Sequence, residues 1–125
     1  MKIEFAIPYP KGFTRNYGLN AYYSGMHWAV RKQRADYWHS IVRAAMIEQR
    51  VPRKLLYKPV KITFYWDDRL DIDNHAIAAK CTVDALKGIL IEDDSRRYVR
   101  AVEHRFWDRR CIGVEVQEIT REAAE

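Results

Sequence analysis

The sequence predicts one α+β domain in which a mixed sheet is packed by two main helices. Three observations carry that expectation. The chain has 125 residues, 48% apolar and 13% aromatic, enough for one domain to bury a core. Alternating or β-branched runs interleave with two long stretches of helical character, in the order β-α-β-α-β-β. No internal repeat, low-complexity tract or linker divides residues 1–125.

Lys2–Ile7 alternates and reads as a strand, ended by Pro8 and Pro10. Residues 11–25 hold Gly12, Gly18 and Gly25 among Tyr17, Tyr22 and Tyr23, and read as a loop. A loop of that length in a compact domain is usually functional. Residues 27–49 contain neither Gly nor Pro and read as a helix, with Trp28, Ala35, Trp38, Val42, Ala45 and Met46 near one stripe. Residues 50–57, with Pro52, read as a connection.

Val60–Trp66 is the clearest strand, rich in β-branched and aromatic residues. After a loop at 67–70, Asp73 or Asn74 is expected to cap a second helix that runs to about Lys87, with Gly88 closing it. Its buried stripe reads as Ile72, Ala76, Ala79, Val83 and Leu86. Residues 98–107 and 112–119 read as two strands joined by a hairpin loop at 108–110, and the tail 120–125 as frayed.

The net charge is +5, unevenly spread. Residues 1–61 hold twelve Lys or Arg against three acids, and residues 62–125 hold ten against fourteen. A basic half suits a polyanionic partner, and an acidic half suits a cation. Solvated charged faces give the same count. No apolar run is long enough to span a membrane, and residues 1–10 lack the apolar stretch of a signal peptide. Cys81 and Cys111 are too few for a disulfide framework, so a reducing cytoplasm is expected.

The segment Asp71-Ile72-Asp73-Asn74, between strand and helix, is the chemical focus. Two carboxylates two residues apart can face one ion, and an oxygen set suits Mg²⁺ or Mn²⁺. Helix capping is the competing explanation for Asp73 or Asn74, but it leaves Asp67, Asp68 and Asp71 in the same turn unexplained. Carboxylates about 5 Å apart repel by roughly 3 kcal/mol at an effective dielectric near 20, so convergence implies a cation. Spacing alone does not choose between metal and cap.

Helical spacing puts Asp73, Lys80 and Asp84 on one stripe. Lys80 is expected to lean toward the helix N-terminus, where it would meet a phosphate; the alternative is a plain Lys80–Asp84 pair. His75 reads as a surface histidine, with a donor role beside the acidic pair as the alternative. No calcium loop, phosphate-binding loop, dinucleotide fingerprint or zinc spacing is present.

Asp71-x-Asp73-Asn74, then Lys80-x-x-x-Asp84-Ala85-Leu86, then Glu92-Asp93-Asp94, resembles the core of the RusA-type Holliday junction resolvases, the crossover junction endodeoxyribonucleases. The resemblance is strong over about residues 60–100 and weaker at Leu19-Asn20-Ala21-Tyr22 and along the first helix. It implies a small bacterial or phage homodimer that needs Mg²⁺ (with Mn²⁺ a substitute) and resolves DNA four-way junctions by paired symmetric cuts. It implies Asp71, Asp73 and Asp94 as metal ligands and Lys80 as the catalytic lysine. One feature departs from the founding pattern: five residues separate Asn74 from Lys80 where that pattern has two, nearly one helical turn more, a longer spacing that resembles phage-type relatives.

Lys11, Arg15, Asn16, Asn20, Arg31 and Arg34 of the basic half are the candidate DNA contacts. The rival readings are a metal-dependent phosphohydrolase acting on nucleotides or another nucleic acid, a basic DNA-binding module without catalysis, and a family member that binds junctions without cutting.

Overall fold

The computed structural model describes residues 1–20, 25 and 27–119. Ala21, Tyr22 and Tyr23 of the expected loop, and the tail 120–125, lie outside the described residues.

The first strand, β1 (Lys2–Ile7), turns Ile3, Phe5 and Ile7 inward, as its alternation requires. Helix α1 (Phe13–Tyr17) then forms inside the segment expected to be a loop. Its two aromatics, one turn apart, are both buried, with Phe13 5.6 Å and Tyr17 4.8 Å from the Trp38 ring. Tertiary burial stabilises a five-residue helix that local periodicity is too short to reveal. Helix α2 (Trp28–Glu48) buries Trp38, Val42, Ala45 and Met46. Trp28, expected on that stripe, is 70% exposed, because the helix meets the core only further along.

Strand β2 (Val60–Trp66) leads to a 3₁₀ turn at Ile72–His75, helix α3 (Ala76–Leu86), strand β3 (Val99–Phe106) and strand β4 (Ile112–Glu118). The sheet is mixed, in the order β1-β4-β2-β3. β4 pairs antiparallel with both β1 and β2, while β3 lies parallel to β2 at the edge. β2, the 3₁₀ turn, α3 and β3 therefore form a crossover unit, the connection that parallel strands need.

Both C-terminal strands are present, but the expected hairpin at 108–110 is not. β2 lies between β3 and β4, and the connection passes over its end: Trp107 N donates to Trp66 O at 2.9 Å, and Arg110 N to Asp67 Oδ2 at 2.6 Å. β2 is buried on both faces, whereas β3 is largely exposed. Burial thus assigns β2 to an inner position and β3 to an edge, overriding the short connection.

Helices α2 and α3 are tied by Trp38 Nε1, which donates to Thr82 Oγ1 at 2.9 Å; the Thr82 hydroxyl donates to Ala78 O. α3 buries Ala78, Ala79, Thr82, Ala85 and Leu86. The expected stripe was partly out of phase: Ile72 is 39% exposed and Ala76 is exposed. A 3₁₀ turn advances about 120° per residue against 100° in an α-helix, so a stripe drawn through residue 72 loses register by residue 76. The helix is left at Lys87, whose backbone is extended, and Gly88 follows at φ 78, the left-handed conformation expected of a glycine there; its N–H donates forward to Ile91 O at 2.8 Å and not back to a helix carbonyl. No helix among the described residues is long and apolar enough to cross a membrane.

Candidate functional site

The acidic segment after β2 divides into two carboxylates that hold the fold and two that do not. Asp67 accepts from Arg110 N. Asp68 accepts from the Tyr9 hydroxyl at 2.7 Å and from His75 Nε2 at 2.8 Å, and its Oδ1 takes Leu70 N at 2.9 Å. His75 is fully buried, stacked on Trp66 at 4.3 Å between ring centroids, with Nδ1 3.0 Å from Ile72 O. It is not the surface histidine expected: the 3₁₀ turn rotates it inward, and Asp68 answers its buried polarity. Burial first, and the bond to Asp68 second, push the Tyr9 phenol well above its ordinary range. Nothing in the spacing of Tyr9, Asp68 and His75 announces this contact.

Asp71 and Asp73 are exposed. Asp71 occupies the N-cap of the 3₁₀ turn without a side-chain capping bond; only its carbonyl is used, accepting from Asn74 N at 3.0 Å. The N-cap of α3 is His75, again with no side-chain capping bond. The expectation that Asp73 or Asn74 caps this helix is therefore corrected: the 3₁₀ turn places both inside the preceding turn. Among the described residues, neither the Asp71 nor the Asp73 carboxylate has a hydrogen-bond or ion-pair partner. Two free oxygen donors two residues apart fit Mg²⁺, which takes one or two carboxylates and keeps several waters.

Asp94 is elsewhere. Asp71 and Asp73 follow the C-terminal end of β2, whereas Asp94 precedes the N-terminal end of its parallel neighbour β3. The strand between has seven residues, about 23 Å at 3.3 Å each. The Asp94 carboxylate lies 3.2 Å from Lys87 Nζ, which also meets Asp84 at 3.2 Å, at the far end of α3 from Asp73. Accordingly, no group of three His, Cys, Asp or Glu arranged to hold a metal occurs among the described residues.

Lys80 is 69% exposed at its side chain and pairs with Asp84 at 3.1 Å. It does not lean toward the helix N-terminus as expected; the carboxylate one turn later draws it the other way. Burial pushes the Asp84 carboxyl up, but hydrogen bonds from Lys80 and Lys87 outweigh it and leave it below the ordinary range. Lys80 also lines a depression of about 230 Å³ with Asn16, Arg31 and Arg34. Three candidate DNA contacts and the candidate lysine thus share one surface. Arg34 reaches Asn16 O at 3.4 Å, and the Tyr17 hydroxyl donates to Arg34 O at 3.1 Å, fixing α1 against α2. Lys11, Arg15 and Asn20 are exposed and do not line that depression.

No protein-family model matches the chain, and no curated protein matches it significantly.

Proposed function

We propose that this chain is a Mg²⁺-dependent, structure-selective endodeoxyribonuclease that resolves DNA four-way junctions as a homodimer. The observation that carries the reading is the Asp71–Asp73 pair. Its carboxylates are exposed and unpartnered among the described residues, while Asp67, Asp68, Asp84, Asp93 and Asp94 are each engaged. Capping, the ordinary use of aspartate at such a place, is not their role here. The motif order shared with the junction resolvases adds the reaction class.

A bound Mg²⁺ supplies Lewis-acid chemistry at a phosphodiester. Asp71 and Asp73 would hold it. Lys80, with Arg31 and Arg34, would hold the phosphate and offset the charge that develops on it. A junction presents two equivalent strands, so paired cuts favour a protein with a dyad.

A synthetic four-way junction, incubated with the protein and Mg²⁺, should yield nicked duplexes, and EDTA should abolish them. Cutting at full rate in EDTA would refute the reading. The separation of Asp94 and the Lys80–Asp84 pair favour a second reading, a junction-binding protein without catalysis. Binding with no product in either Mg²⁺ or Mn²⁺ would select it.

A further inference from the structure

Tyr57, Pro59, Arg96, Arg97 and Arg100 line an open depression of about 550 Å³ on the surface where the chain enters β2 and β3. Three guanidinium groups share it, and among the described residues none of the adjacent carboxylates forms an ion pair with them. Glu92 accepts from the Tyr98 hydroxyl at 2.6 Å, Asp93 accepts from Ser95 N, and Asp94 pairs with Lys87. Arg96 and Arg100 have no carboxylate partner among the described residues. Arg97 lies over the Tyr98 ring at 5.6 Å from its centroid, and its charge helps hold the Asp93 carboxyl low, behind the bonds from Ser95 and the charge of Lys87. Three arginines gathered on one depression, two of them with no carboxylate partner among the described residues, suit an anion with several oxygens.

The surroundings narrow that anion to a nucleic-acid backbone. Tyr57 is 80% exposed at the rim. A ring beside arginines suits a base or sugar next to a phosphate. Arg53, Lys54 and Lys58 extend the positive charge along the incoming chain. The backbone here is held in place: Val60 N donates to Tyr98 O at 2.8 Å, Ile119 N to Pro59 O at 2.9 Å, and Tyr98 N and Val99 N both to Ser95 O at 2.9 Å. The arginines are therefore carried on a fixed turn, which lowers the ordering cost of binding. The depression is open, whereas a small-molecule site is a cleft that buries most of its ligand.

We infer that Tyr57, Arg96, Arg97 and Arg100 form a second contact for the DNA sugar-phosphate backbone, in a depression separate from the one that Lys80 lines. This deepens the nucleic-acid part of the reading above and does not depend on cleavage. The test is equilibrium binding of the full chain to a fluorescent four-way junction and to a linear duplex, at several salt concentrations without Mg²⁺. Combined Arg96→Gln, Arg97→Gln and Arg100→Gln should reduce the slope of log affinity against log salt by roughly two to three, about 0.9 per phosphate lost. The corresponding triple Lys variant keeps the charge and should keep most of the slope. Tyr57→Ala should weaken binding with little change in slope, and Tyr57→Phe should restore it. An unchanged slope in the Gln variant overturns the inference, as does equal loss in the Lys variant, which would signal a general defect of folding. Millimolar inorganic phosphate that saturates the arginines while leaving DNA affinity untouched also overturns it, showing a free-anion site. Wild-type protein that binds with the expected slope but never cuts would remove the endonuclease reading and leave this one standing.

Discussion

Asp68 is the anchor of His75: the buried imidazole places Nε2 2.8 Å from Oδ1 and 3.0 Å from Oδ2 of that carboxylate. Seven positions apart in sequence, the two close the loop that presents Asp71 and Asp73. Asp68→Ala would leave both the Tyr9 hydroxyl and His75 Nε2 without their acceptor. An unsatisfied buried group such as His75 Nε2 costs about 1–3 kcal/mol, and the half-buried Tyr9 hydroxyl less. Urea unfolding should show a loss in that range or above for Asp68→Ala. The cost of adding His75→Ala should be less than additive in a double-mutant cycle. Strict additivity would mean the pair is not coupled.

Asp73→Asn should leave stability within about 0.5 kcal/mol, as for an exposed substitution away from caps and buried bonds. On the proposed function it should abolish junction cutting with binding intact or tighter, since a negative charge facing phosphate is removed. A fall of several degrees in the melting temperature would revive a structural role for Asp73.

Lys80→Ala should slow single-turnover cleavage by about one to three orders of magnitude, the scale of one lost charge-stabilising donor. Binding should change much less, and Lys80→Arg should rescue poorly because its charge is broad and planar. Stability should move by only a few tenths of a kcal/mol, since the exposed Lys80–Asp84 pair contributes no more. Cleavage at the wild-type rate would remove Lys80 from the site and turn attention to Lys87, which bridges Asp84 and Asp94.

Gly113 is required by Trp107. A Cβ at residue 113 would stand 2.6 Å from Cζ2 of that ring. The ring cannot easily retreat, because its Nε1 donates to Cys111 O at 2.7 Å and its face stacks on Tyr65 at 4.9 Å. Gly113→Ala should cost about 1–3 kcal/mol, the usual penalty of overpacking. Trp107→Leu should relieve part of that penalty in the double variant. Unchanged stability in chemical denaturation would show that the ring yields freely.

Acid should weaken the β1–β4 edge. The Glu115 carboxyl is held below its ordinary 4.5 by Lys2, 2.9 Å away; burial opposes the shift, and the Tyr65 hydroxyl at 2.8 Å adds to it. A depressed folded value means the contribution is present above the unfolded pKa and disappears as pH falls through the folded one. Lys2 is shifted up by Glu115 and then Glu4, so its contribution holds below 10.5 and is lost only as pH rises through the higher folded value. Melting temperature measured downward from pH 4.5 should fall less steeply for Lys2→Met than for wild type. Identical acid limbs would show that the pair adds no pH dependence.

What the sequence by itself determined was whatever depends on neighbours within one helical turn or one pleat. The alternation of Lys2–Ile7, the β-branched run Val60–Trp66 and the uninterrupted residues 27–49 became β1, β2 and all but the ends of α2. Gly88, just past the end of α3, took the left-handed conformation expected of it for the same local reason. The tertiary structure alone decided which distant groups meet. β3 pairs parallel with β2 and forms no hairpin with β4, because the doubly buried strand takes the inner place whatever the connection length. His75 became a core residue because a 3₁₀ turn rotated it toward Trp66 and an aspartate was there to receive it. Asp94, adjacent to the others in the motif, was carried to the opposite end of the sheet by the direction of one strand. Periodicity and capping act over three or four residues. Strand pairing and buried polar contacts are settled by competition among surfaces brought together only when the whole chain has closed.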